Sequence, residues 1–196
     1  MSTCASPEPC VFTELLAKIA TAFDRAGLAY MVIGGQAVLL HGEPRLTRDV
    51  DVTLGVPVDR LSDVLAAVAG IPLEPLVEPE SFVPETWVLP CRDAASDLRV
   101  DLIFSDSAYE RAALGRAESR TLAGVAVRFT SAEDLVVHKV LAGRPRDLED
   151  VRGVLLKNPG LDRKLIRDAL RQLGAAIDED LVARFDALDR ADRAPG

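Results

Sequence analysis

Asp49-Val50-Asp51-Val52-Thr53-Leu54 alternates acidic or polar with apolar residues along its whole length. A period of two is the mark of a half-buried strand, with Val50, Val52 and Leu54 on its inner face. Asp49 and Asp51 then share the opposite face, with carboxylates about 6–7 Å apart at the usual strand rise. Two like charges side by side destabilise a strand unless something of opposite charge compensates them. A hard divalent cation such as Mg²⁺, which takes oxygen ligands, is one compensator; water at an exposed sheet edge is another. A bare acid–apolar–acid triplet does not choose between them.

The flanking sequence narrows the choice. Upstream, Ala29–Ile33 is a short continuous apolar run, as in a buried strand, broken by Gly34-Gly35 before a short helix over Gln36–Leu40. Glycines at a strand-to-helix turn allow close backbone approach, and a helix N-terminus offers free N–H groups to phosphate. Downstream, Leu98–Phe104 reads as another strand. Val100, Leu102 and Phe104 lie on one face and Asp101 on the other. A carboxylate within so apolar a strand is costly without a partner. Three acids from two adjacent strands can hold two metal ions.

These residues resemble a known pattern. Gly34-Gly35-Gln36-Ala37 followed by Arg45-x-Thr47-x-Asp49-Val50-Asp51, with Asp101 on a later strand, is similar to the nucleotidyltransferase superfamily of DNA polymerase β type. Within it, Glu133-Asp134-Leu135, Lys139, Ala142-Gly143-Arg144 and Arg146-Asp147-x-x-Asp150 resemble the AbiEii/AbiGii abortive-infection toxin nucleotidyltransferases. The likeness runs from about residue 11 to residue 155. It implies an α/β (α+β) nucleotidyltransferase fold: a small mixed β-sheet flanked by helices, with a C-terminal helical part. It also implies transfer of a nucleoside monophosphate from a nucleotide triphosphate to an acceptor hydroxyl, with pyrophosphate released. Asp49, Asp51 and Asp101 become the catalytic metal ligands for two Mg²⁺ (or Mn²⁺) ions. Gly34, Gly35, Gln36, Arg45, Thr47, Arg48 and Lys139 become nucleotide-binding residues. Many members carry Ser after the first glycine; here Gly35 and Gln36 fill that stretch, a variation familiar among the toxin-like members. The acceptor stays open between a tRNA, a protein side chain and a small molecule. The implied setting is a toxin–antitoxin or phage-defence system with a cognate antitoxin. An aminoglycoside-type small-molecule enzyme and a noncatalytic nucleotide-binding antitoxin are the alternatives on the same fold.

The remaining chain fits one core with appendages. Residues 1–10 read as a disordered leader, 11–130 as the α/β core and 131–196 as helices packed on it. Phe12, Leu15, Leu16, Ile19, Ala20 and Phe23 recur at helical spacing. Further helices are expected over 58–69, 106–114, 131–142, 146–157, 161–174 and 178–190, and strands over 86–89, 119–122 and 125–129. Pro72, Pro75, Pro79 and Pro84 predict an irregular connection over 71–85. Arg146, Asp147 and Asp150 are expected to tie the helical layer by ion pairs, and His41 to end its helix without binding metal. Arg45, Arg48, Lys139 and Arg144 are expected along one cleft beside Asp49.

Composition sets outer bounds. In 196 residues, 23 Lys and Arg face 31 Asp and Glu, a net charge of −8. Such a chain repels a phosphate backbone at long range, which weighs against nonspecific nucleic-acid coating and leaves room for a local basic pocket. Cys4, Cys10 and Cys91 form no metal-binding spacing and read as free thiols of a reducing compartment. Ala29–Leu40, the most apolar stretch, is too short to span a bilayer, so a soluble, cytoplasmic protein without a membrane partner is expected.

Overall fold

The computed structural model describes residues 7–105 and 107–193. They divide into two compact units, Met1–Ile33 with Arg48–Phe129, and Gly34–Thr47 with Thr130–Gly196. The segment 34–47, expected within the α/β core, is thus grouped with the C-terminal helices.

The first unit is a seven-stranded mixed sheet with helices against it. Its strands are β1 (Tyr30–Ile33), β2 (Asp49–Leu54), β3 (Leu73–Pro75), β4 (Val88–Asp93), β5 (Arg99–Phe104), β6 (Glu118–Leu122) and β7 (Val125–Phe129), in spatial order β3-β4-β5-β2-β1-β7-β6. β2 has the bounds its alternation predicts, and Val50, Val52 and Leu54 are fully buried. It lies antiparallel to β1 and parallel to β5, where Val100, Leu102 and Phe104 are buried in turn. Parallel pairing requires a crossover. Between β2 and β5 it passes through a 3₁₀ turn over Val58–Arg60, helix α3 (Leu61–Val68), and the β3–β4 ribbon with its intervening helix α4 (Pro79–Thr86).

Helix α1 (Pro7–Arg25) packs on β6, β7 and α3. Its predicted stripe is the buried one, with Leu15, Leu16, Ile19, Ala20 and Phe23 at most 3% exposed. Because α1 starts at Pro7, residues 7–10 are helical rather than part of a leader; residues 1–6, expected as leader, lie outside the described residues. Ser107 caps α5 (Ala108–Arg116), its Oγ accepting from the Glu110 N–H at 3.0 Å.

The stretch 71–85 departs from expectation. It holds β3 and α4, not only an irregular connection. Pro79 opens α4, where its missing N–H costs nothing. Pro84 lies inside, but an eight-residue helix loses a single internal bond to it. The chain then leaves through Trp87 in the left-handed conformation, φ 60°, its N–H donating to the Val83 carbonyl.

The second unit is helical: α2 (Gly34–His41), α6 (Ala132–Ala142), α7 (Pro145–Lys157), α8 (Arg163–Ile177) and α9 (Leu181–Arg193). Ser131 caps α6 by accepting from the Asp134 N–H at 3.1 Å, and Gly143 ends it at φ 65°. Pro145 opens α7, and the Asp162 carboxylate caps α8. α8 and α9 are fastened by Arg163–Asp189 and Arg167–Asp186, both at 2.8 Å, with Arg167 also over the Phe185 ring. His41 closes α2, and its Nε2–H donates to the Thr130 carbonyl at 2.8 Å. Among the described residues no helix is long and apolar enough to cross a membrane.

Candidate active site

In the first unit, the ladder between β2 and β5 aligns the acids. Asp51 is the register partner of Asp101, and Asp49 is the partner of Arg99. Directly opposed residues on neighbouring strands point to one face, about 4.8 Å apart in the backbone. Asp49 follows on that face two residues before Asp51. The face is open: Asp49 is exposed and Asp51 and Asp101 half-buried, while Val50, Val52, Val100 and Leu102 on the reverse are fully buried. The alternation thus places three carboxylates on one side of two adjacent central strands.

Arg99, which the sequence reading did not single out, belongs to the same cluster. Its Nε–H donates to both oxygens of Asp101, at 2.9 and 3.1 Å. Its guanidinium is held above its ordinary pKa by the hydrogen bond to Asp101 and that carboxylate's charge, with Asp49 and Asp51 adding to the effect. The signal was legible in Arg99-Val100-Asp101: cation and acid at i, i+2 share a strand face. Among the described residues no three acid, His or Cys side chains stand together as a ready metal cage. Asp101 is instead turned to a resident cation. Beneath, Cys91 on β4 is fully buried, and burial together with the charge of Asp101 pushes its thiol up to about 12.

The second unit holds the other expected site residues except Arg48. Gly34 has φ +61°, a conformation side chains disfavour. A Cβ on Gly35 would fall 2.3 Å from the Thr47 hydroxyl oxygen, so only glycine fits beneath Thr47. Gln36 is 6% exposed, and its Nε2 has no hydrogen-bond partner among the described residues. An orphaned buried donor is uncommon and costly.

Three of the four cations expected along one cleft converge instead on two buried carboxylates. Arg45 grips Asp150 with Nε and Nη2, at 2.8 and 2.9 Å. Lys139, 6% exposed, reaches Asp147 at 2.8 Å and Asp150 at 2.9 Å. Arg144 reaches Asp147 at 2.6 Å. Burial opposes ionisation of Asp147, but hydrogen bonds from Arg144 and Lys139 outweigh it and hold its carboxyl below the usual range. Arg146 donates to the Leu46 carbonyl at 3.1 Å. The start of α7 therefore fastens the loop before β2. Arg45 and Lys139, expected as triphosphate contacts, are engaged with carboxylates here. Arg48 belongs to the first unit and is exposed.

A family model described as a nucleotidyltransferase of unknown function (DUF6036) matches residues 11–184. The chain belongs to this nucleotidyltransferase family. No curated protein matches its sequence. Among solved structures, this nucleotidyltransferase is similar to the antibiotic-resistance factor ANT(2″)-Ia in solution, with TM-score 0.59 and 21% identity over 86% of this chain and 95% of the other. An antigenic nucleotidyltransferase-like protein from Paracoccidioides brasiliensis gives 0.55 and 19% over 89% and 92%. ANT(2″)-Ia in complex with adenylyl-2″-tobramycin gives 0.54 and 21% over 94% and 99%. At these identities the likeness is one of fold. It agrees with the mixed sheet flanked by helices.

Proposed function

We propose that this nucleotidyltransferase transfers a nucleoside monophosphate from a nucleotide triphosphate to an acceptor hydroxyl, with Asp49, Asp51 and Asp101 as its catalytic acids. The carrying observation is the register of β2 and β5, which sets Asp51 opposite Asp101 on an open face. The donor set suits Mg²⁺: three hard oxygen ligands, one already drawn to a positive partner. One or two such ions, when bound, would neutralise charge on the triphosphate and the leaving pyrophosphate. Asp49 and Asp51 would hold the ion on the triphosphate side. Asp101 orients the acceptor hydroxyl and takes its proton as the new oxygen–phosphorus bond forms and the bond to pyrophosphate breaks. Gly34, Gly35, Thr47 and Arg48 are proposed phosphate contacts, with Gln36 Nε2 as a donor awaiting an oxygen. Arg45 and Lys139 act by holding the loop that leads into β2.

The likeness to AbiEii/AbiGii toxins in the glycine, acid and helical motifs supports a cytoplasmic toxin–antitoxin or phage-defence role with a cognate antitoxin. A second reading, a small-molecule acceptor as in the tobramycin adduct, is favoured by charge: a surface of net −8 attracts a cationic compound and repels tRNA. The test is incubation with each labelled nucleotide triphosphate, Mg²⁺ and either cell extract, purified tRNA or a panel of aminoglycosides. Label transfer by the wild type and none by Asp51→Asn is expected. Transfer undiminished in Asp51→Asn, or absent with every triphosphate and acceptor, refutes the proposal.

A further inference from the structure

The pair Arg99–Asp101 is out of proportion to any structural need. An ion pair with side chains 54% and 20% exposed adds little to stability. Both ends of β5 register are already set by Val100, Leu102 and Phe104 packing on the reverse face. Yet one N–H of Arg99 is shared between both oxygens of one of the three acids, and Arg99 is also the register partner of a second, Asp49. Asp101 meanwhile has both oxygens engaged, and no three-acid cage stands assembled among the described residues.

We infer that Arg99 is a displaceable counter-cation that holds Asp101 until a divalent ion takes its place, and so sets the ion concentration at which the site assembles. The inference rests on the metal-dependent reading above. A cation must compete with the guanidinium for Asp101, so apparent affinity is reduced by the fraction of molecules in which the pair is closed. Arg99 is a positioning residue here: it acts on the acid and need not touch substrate. A lysine has no counterpart of the Nε–H that both Asp101 oxygens share, so Arg99→Lys keeps the charge and loosens the grip.

The test is Mn²⁺ binding by electron paramagnetic resonance, without nucleotide, at about 0.5 M KCl so that general charge effects are screened. Arg99→Gln is expected to bind Mn²⁺ about threefold more tightly than the wild type, and Arg99→Lys to fall between, as a half-exposed pair closed about two-thirds of the time requires. In an Asp101→Asn background, Arg99→Gln is expected to change the affinity less than about twofold, because the acid it releases is gone. Arg99 is exposed, so these variants should keep the wild-type circular dichroism. Mn²⁺ binding that needs Asp51 but is unchanged or weakened by Arg99→Gln overturns the inference and leaves the metal-dependent reading intact. A threefold gain that persists in full in Asp101→Asn also overturns it, since Arg99 then acts by charge alone. No Mn²⁺ binding by the wild type or by Arg99→Gln overturns both.

Discussion

Lys139→Met separates the two roles open to this lysine. Its ammonium lies 2.8 Å from Asp147 and 2.9 Å from Asp150, with all three side chains at most 8% exposed. At an effective dielectric of 20, each contact is worth about 6 kcal/mol of Coulomb energy before desolvation is subtracted. Removing one member of a buried ion cluster costs about 3–5 kcal/mol net. Arg45 and Arg144 still face Asp150 and Asp147, so the lower end, about 3 kcal/mol, is expected. In a chain of this size that is a fall in Tm of roughly 6–12 °C. Urea unfolding at pH 7, followed by circular dichroism, measures it. The deficit should shrink as the pH is lowered through the carboxylate range, where Asp147, stripped of its hydrogen bond from Lys139, takes up a proton. A loss below about 1 kcal/mol, together with weaker nucleotide binding, would refute the structural role. It would restore the lysine to the triphosphate.

Asp51→Asn should abolish nucleotidyl transfer without lowering apo stability, because repulsion across Asp51 and Asp101 falls while shape is kept; a thermal melt and its Mg²⁺ response check this, with the wild type gaining about 2.7 kcal/mol at one hundred times the dissociation constant and the variant gaining less. Gly35→Ala should cost about 1–3 kcal/mol by forcing a methyl onto Thr47, and Thr47→Ala should recover part of the loss in urea titrations. The Asp147 carboxyl has a native pKa below its unfolded value, so its contribution is complete above the ordinary carboxylate range and is lost as the pH falls through the depressed value; wild type should therefore lose stability more steeply than Asp147→Asn below about pH 4 in acid unfolding followed by fluorescence. Cys91 should stay unreactive to a thiol reagent at pH 8 in a Cys4→Ser, Cys10→Ser background until denaturant is added.

Patterns of short range were legible in the sequence. The six residues of β2, the stripe of α1 and the Ser131 cap of α6 are each determined by neighbours within a turn or a pleat, and each forms where its period places it. Helix α4 was not, because proline punctuation hid a helix short enough to start on one proline and tolerate another. The engagement of Lys139 and Arg45 was hidden for a different reason. Arg45 meets Asp150 across 105 residues of chain, and no periodicity reports such a distance. Arg99 could have been read, since its partner is two residues away on its own strand. The grouping of 34–47 with the C-terminal helices follows from Arg45, Arg146 and the packing of α2 on α6 and α7, all contacts of long sequence separation.

The parallel pairing of β2 with β5 also governs when the acid face comes into being during folding. Asp51 and Asp101 are separated by 50 residues, and parallel strands cannot close through a hairpin. A loop of that length must be ordered before the ladder returns any bond energy, which makes this a late and slow contact in a nascent chain. Strand β5 docks with its own neutralisation aboard. As Asp101 arrives opposite Asp51, Arg99 arrives opposite Asp49, so the negative face of β2 meets a β5 face that carries one cation for its one acid. The same guanidinium that delays an ion in the finished protein would let the strands come together before any ion is present.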